Sequence, residues 1–217
     1  MLVLVLVQAA ACGGDKPAAD SAPVQASPTV RPANAPQAPD APKTLLFLGT
    51  SLTAGFGLEP EDAYSTLIQR KVDSAGLRYR VVNAGVSGET SSGLLRRLDW
   101  LLQQKLDVVV IETGANDGLR GVPVETMRAN LKQIIVRIRA AQPEVVIALI
   151  QMEAMPNMGR AYTDSFRAAF PSLAREEKVT LMPFLLDGVA GIRDLNQGDG
   201  IHPNEEGERI VAANVWK

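Results

Sequence analysis

Three side chains in this sequence have the types and spacing that acyl transfer needs. Ser51 follows the apolar run Thr44-Leu45-Leu46-Phe47-Leu48 and sits in Gly49-Thr50-Ser51-Leu52. His202 is the only histidine of the 217 residues, and it closes the run Asp199-Gly200-Ile201-His202. A serine hydroxyl is a weak nucleophile until a neighbouring base takes its proton, and imidazole is the side chain suited to that work near neutrality. An aspartate three positions earlier in a turn can hold Nδ1 and leave Nε2 facing the serine. A lone histidine is more often structural than catalytic. The adjacent Asp199, and a place after the last strand pattern, favour the base.

The bland alternatives are specific. Ser51 could be no more than a helix N-cap. A phosphate-binding loop would need a lysine before its Ser or Thr, and Gly49 to Gly55 has none. Acyl transfer also develops negative charge on the carbonyl oxygen, so donors must point at it. Asn83-Ala84-Gly85-Val86-Ser87-Gly88 and Gly114-Ala115-Asn116-Asp117 supply glycines, whose N–H groups can approach closely, and a neutral side-chain amide. Each segment alone is also ordinary turn composition. Asp117 reads as a turn or cap residue rather than a catalyst.

The elements that must carry these residues follow from the apolar pattern. Strands are expected at 44–48, 79–83, 107–112 and 145–150, with a weaker one at 179–182. The runs Val108-Val109-Val110-Ile111 and Val145 to Ile150 are continuous rather than alternating, as in strands covered on both faces of a parallel sheet. Amphipathic periodicity predicts helices at 63–75, 91–104, 124–141, 163–177 and 205–215. Pro123 suits the first turn of its helix and Pro143 ends it. Strand–helix alternation with short connections implies a three-layer α/β/α sandwich around a parallel five-stranded sheet, whose sites form beyond the carboxyl ends of the strands. Ser51, the 83–87 segment and the 114–117 segment all fall at that edge. The methionine-rich stretch Gln151 to Gly159 leaves a strand there too, and suits either an adaptable acyl groove or core filling. Phe166 and Phe170 are expected to face the core.

Taken together, Gly49-Thr50-Ser51-Leu52, Gly85, Gly114-Ala115-Asn116-Asp117 and Asp199-Gly200-Ile201-His202 resemble the four blocks of the SGNH (GDSL) hydrolases. The nearest branch is the bacterial arylesterase and thioesterase/lysophospholipase group, and the resemblance covers nearly all of 43–217. It implies a flavodoxin-like fold, Ser51 as nucleophile, His202 as base and Asp199 as its orienting acid. It implies an oxyanion hole of the Ser51 and Gly85 N–H groups with the Asn116 side chain, and no metal or cofactor. The family usually has aspartate just before the serine; here Thr50 stands there, so a polar contact bracing the turn is expected to differ while hydrolysis survives.

Composition limits the setting. The formal net charge is −2, without the basic stripe of a nucleic-acid binder. Residues 1–12 are apolar up to Cys12, the only cysteine, and the stretch is too short to span a bilayer. It resembles a lipoprotein signal, which implies lipidation of Cys12 and an exported protein held at a bacterial membrane, facing periplasm or exterior. Ala9 in place of the usual leucine and the missing basic residues depart from that pattern, and an ordinary cleaved signal is the competing reading. Residues 13–42, rich in Pro and Ala, cannot build a core and read as a tether of about 90 Å when extended. Residues 43–217 form one domain, without cysteine, expected as a monomer acting on a small-molecule acyl ester. A carbohydrate O-acetyl esterase and a non-catalytic acyl-chain-binding lipoprotein are the rivals. If His202 is the base, activity should rise with pH as the imidazole gives up its proton; a flat profile from about pH 5 to 8, with chemistry rate-limiting, would count against it.

Overall fold

Five strands alternate with helices along residues 41–217, the residues that the computed structural model describes. The expected signal at 1–12, Cys12 and all but the end of the 13–42 tether lie outside them. The strands are β1 (Lys43–Gly49), β2 (Tyr79–Gly85), β3 (Val108–Ile111), β4 (Val146–Gln151) and β5 (Thr180–Phe184). They form one wholly parallel sheet in the order β2-β1-β3-β4-β5. The helices are α1 (Ser51–Ala54), α2 (Tyr64–Ser74), α3 (Ser91–Leu101), α4 (Ala115–Leu119), α5 (Val124–Ala141), α6 (Arg160–Glu177) and α7 (Glu205–Val215).

Strand order decides where a ligand can sit. The chain steps from β1 to β2 in one direction, then returns past β1 to β3 and runs outward to β5. Right-handed crossovers put α2 on one face and α3, α5 and α6 on the other. The packing agrees, since α2 meets α7 while α5 lies between α3 and α6. The reversal opens a crevice at the carboxyl ends of β1 and β3, the switch point of an open α/β sheet.

The three central strands are apolar on both faces because both are covered. Leu46, Leu48, Val109, Ile111 and Leu149 are fully buried, as are Phe166 and Phe170 from α6. The edge strands β2 and β5 keep one side open, and Leu181 on β5 is exposed. The five long helices fall at their expected places, two of them with identical bounds. Pro123 differs by one position and precedes α5 as its cap residue. The short helices α1 and α4 are below the length at which periodicity can be read.

Pro171 lies inside α6, where its missing N–H leaves the Arg167 carbonyl without a helical partner. Gln151 Nε2, at the end of β4, reaches that carbonyl at 3.3 Å and takes the place of the lost bond.

Carboxylates from distant segments finish several helix N-termini. The residue before α2 is Ala63, which has no capping side chain, and Glu208 of α7 accepts the Tyr64 N–H at 2.7 Å. Asp117 of α4 accepts the Ser91 N–H at 2.8 Å and its hydroxyl at 2.6 Å, capping α3. Both acids are buried, and burial raises the Glu208 carboxyl from 4.5 to about 8. The protonated form is therefore favoured by folding. Its contribution is complete below about pH 4.5 and is lost as pH rises through about 8. The melting temperature should fall between about pH 4.5 and 8, and Glu208→Gln, permanently neutral yet still an acceptor, should flatten that fall. Thermal melts with equal slopes in both proteins would contradict this assignment.

Candidate active site

The sheet brings Ser51 and His202 together across 151 positions of sequence. Ser51 opens α1 directly after β1, and His202 sits in the loop before α7. Ser51 Oγ lies 2.8 Å from His202 Nε2. On the other side of the ring, His202 Nδ1 lies 2.6 Å from Asp199 Oδ2. Asp199 Oδ1 accepts the backbone N–H groups of Ile201 (2.9 Å) and His202 (3.0 Å), so the turn winds around its own carboxylate. These contacts, the imidazole bond first, hold the Asp199 carboxyl down from 3.8 to about 2. The acid stays ionised across the working range and holds the proton-bearing Nδ1 toward itself.

The loop is braced from outside. Gln197 accepts nothing from the ring but ties its backbone: its N–H donates to the His202 carbonyl at 2.7 Å, and its Nε2 donates to the carbonyls of Phe56 (2.7 Å) and Pro203 (2.9 Å). The Phe56 ring lies 4.7 Å from the imidazole, centre to centre, and covers one of its faces. Neither Phe56 nor Gln197 stands out in the sequence, because each acts through a contact made only in three dimensions.

Asn116, expected as an oxyanion donor, lines the same cavity as Ser51 and His202. One hydrogen of its amide is engaged, donating to the Glu89 carbonyl at 3.0 Å, which fixes the side chain and leaves the second for a ligand. Gly85, expected as a second oxyanion donor, is not brought to the cavity wall. Its N–H donates to Asn83 Oδ1 at 2.9 Å. It is a packing glycine: a Cβ there would come 2.3 Å from the Ala54 nitrogen and 2.8 Å from the Thr50 carbonyl oxygen. Three residues on, Gly88 lines the cavity at φ +75°, and its N–H, like that of Ser51, has no hydrogen-bond partner among the described residues. The available signal was the turn itself, closed by Glu89 N–H to the Val86 carbonyl at 3.2 Å, which leaves the Gly88 amide outside the bond.

The cavity measures about 560 Å³, and beyond the polar cluster its wall is apolar, including Leu119, Met152, Ala154, Met155 and Leu186. Both readings of the methionine-rich stretch hold in part. Met152 is buried and belongs to core and cavity floor alike, while Met155 is exposed at the mouth. Beneath Ser51 lies an acid that sequence reasoning passed over. Glu112, immediately after β3, is fully buried and accepts four hydrogen bonds from Thr50 and Thr53. Burial raises its carboxyl from 4.5 to about 7 against the pull of those donors. A charged residue ending a continuous apolar strand was the signal available for it.

Together the groups can pass a proton from Ser51 Oγ to His202 Nε2 and present two backbone amides and one side-chain amide to a developing oxyanion. Among the described residues no three His, Cys, Asp or Glu side chains cluster as metal ligands would.

Comparison with known proteins identifies the family. Residues 47–210 match the model of the GDSL-like Lipase/Acylhydrolase family. The chain is 40% identical over 177 residues to the esterase TesA of Pseudomonas aeruginosa, covering 81% of this chain and 87% of that one. It is 39% identical over 170 residues to the thioesterase 1/protease 1/lysophospholipase L1 of Escherichia coli K12, covering 78% and 79%. A crystal structure of TesA superposes with a TM-score of 0.77 at 39% identity, covering 80% of this chain and 96% of that one. The chain therefore belongs to the GDSL-like lipase/acylhydrolase family and is an acyl-ester hydrolase.

Proposed function

We propose that this enzyme hydrolyses acyl esters or thioesters through an acyl-Ser51 intermediate. Ser51 Oγ attacks the carbonyl carbon as His202 Nε2 takes its proton. The imidazolium, steadied by Asp199, then gives that proton to the leaving oxygen or sulfur. Water repeats the sequence on the acyl-enzyme and releases the acid. The oxyanion in each tetrahedral intermediate is held by the N–H groups of Ser51 and Gly88 and by the Asn116 amide. The observation that carries this reading is the unbroken line Ser51–His202–Asp199 at 2.8 and 2.6 Å, opening onto the cavity.

The cavity also speaks to the acyl group. Its apolar wall and volume of about 560 Å³ suit an aliphatic chain well beyond acetyl. Lysophospholipid-like, aryl and thioester substrates all meet that description. This favours a fatty-acyl esterase over a carbohydrate O-acetyl esterase. A purely binding role is disfavoured because it gives no purpose to the contacts from Ser51 to His202 and from His202 to Asp199. Every one of them comes from a single chain, so a monomer suffices.

Nitrophenyl esters from acetyl to dodecanoyl, measured beside Ser51→Ala, test the proposal. Each buried methylene contributes about 0.8 kcal/mol, so kcat/KM should rise by up to about fourfold per added methylene until the cavity is filled. Turnover in the alanine variant, or an optimum at acetyl, would sink it.

The setting is proposed from sequence alone: Cys12 carries the lipid of an exported lipoprotein, and the 13–42 segment tethers the domain to the membrane, on its periplasmic or outer side. Among the described residues no helix is long and apolar enough to cross a membrane. Fatty-acid labelling in a bacterial host should mark the wild-type chain and not Cys12→Ala; an unlabelled wild type refutes the anchor.

A further inference from the structure

The nucleophile turn has an unusual support. α1 is four residues long, well short of a helix that holds itself together, and Thr50 at its start makes no cap with its own side chain. Its N-terminus is satisfied instead by Glu112, across the sheet. Glu112 Oε2 accepts the N–H of Thr50 at 2.8 Å and of Thr53 at 3.3 Å. The same carboxyl accepts the Thr53 hydroxyl at 2.8 Å and the Thr50 hydroxyl at 3.0 Å to Oε1 and 3.1 Å to Oε2. All these donors sit on the residues just before and two after Ser51.

The surroundings leave this group little else to do. Glu112 is fully buried, and no ion pair joins it to a cation among the described residues. A buried carboxylate is costly unless donors surround it, and here only the serine turn supplies them. Its own N–H is bonded to the Leu48 carbonyl of β1 at 2.7 Å, so β1, β3 and the turn are locked as one unit. Gly49 completes the fit, since a Cβ there would fall 1.9 Å from Thr53 Oγ1 and 2.7 Å from Glu112 Oε2. Thr53 Oγ1 also lies 2.7 Å from Tyr64 Oη, which joins the clamp to the first residue of α2.

We infer that Glu112 and Thr50 are positioning residues for the hydrolysis, clamping the turn so that Ser51 holds its hydroxyl at His202 and its N–H toward the cavity. This rests on Ser51 being the nucleophile. It also gives Thr50 a purpose at the place where the family usually has aspartate. A second carboxyl there would face Glu112 and need a shared proton, whereas a threonine hydroxyl donates at any pH. A displacement well under 1 Å at a reacting atom is enough to slow a reaction, so a clamp on the backbone either side of Ser51 acts on kcat rather than on binding.

The test uses the full chain with Thr50→Val, Thr50→Ser, Ser51→Ala and wild type, measuring kcat, KM and melting temperature on one nitrophenyl ester. Valine removes only the hydroxyl and keeps shape and backbone bonds. Loss of one hydrogen bond to a carboxylate should lower kcat about tenfold with KM within about twofold. Serine, which restores the donor, should recover kcat to within about threefold of wild type. A Thr50→Val enzyme with kcat within about twofold of wild type overturns the clamp, as does a serine variant as slow as valine, or a rise in KM at constant kcat. In each of those cases an inactive Ser51→Ala leaves the nucleophile assignment standing. An active Ser51→Ala overturns that assignment, and the clamp's purpose falls with it.

Discussion

Acids buried at the carboxyl edge of the sheet accept the N-terminal donors of helices from elsewhere in the chain, and the serine turn depends on that arrangement. Glu112 caps the Ser51 helix, Glu208 caps α2 and Asp117 caps α3, each from a segment remote in sequence. A helix N-terminus presents unpaired N–H groups, so a carboxyl group placed there is held by the hydrogen bonds it accepts, ionised or not. Placed in the interior, the same carboxylate has no water to fall back on. Each bond therefore acts as a constraint: moving one helix strands both a buried acid and a set of buried donors.

The consequence is a rigid edge on which flexible groups need little freedom. Ser51 stands on a turn fixed from below by Glu112. Asn116, on α4, has one amide hydrogen committed to the Glu89 carbonyl, so its other hydrogen points in one direction. Asp117, the next residue, ties α4 to α3 through Ser91, and Asn130 of α5 donates to the same Ser91 hydroxyl at 3.0 Å. Two of the groups that would meet the oxyanion, the Ser51 amide and the Asn116 side chain, are thus set by hydrogen bonds made away from the substrate, which is the preorganisation that stabilises a developing charge without rearrangement.

His202 is held differently. It rides on a loop, and its own turn supplies most of its restraint: Asp199 bonds the ring and two backbone amides at once, while Gln197 and Phe56 brace it from outside. The residue before Ser51 belongs to this support: the Thr50 hydroxyl donates to Glu112, so it touches what holds the serine rather than what reacts.

The sequence by itself determined the long elements, the parallel sheet and the pairing of Asp199 with His202, because each follows from local pattern: continuous apolar runs, helical periodicity and a carboxylate one turn from an imidazole. It also marked Ser51 and Asn116, through short blocks at strand ends. The remaining features depend on which distant segments meet in three dimensions. Gly85 and Gly88 are three positions apart in one glycine-containing loop, and only the folded loop shows that Asn83 takes the Gly85 amide while Gly88 lines the cavity. Glu112 reads as the polar end of a strand until β1 is laid beside β3. Pro171 looks like a helix breaker until Gln151 meets the carbonyl it frees. The short helices α1 and α4 have no periodicity to read, since four or five residues complete little more than one turn. Pattern along the chain is enough to place elements; the choice of partner for each buried polar group exists only where distant segments meet.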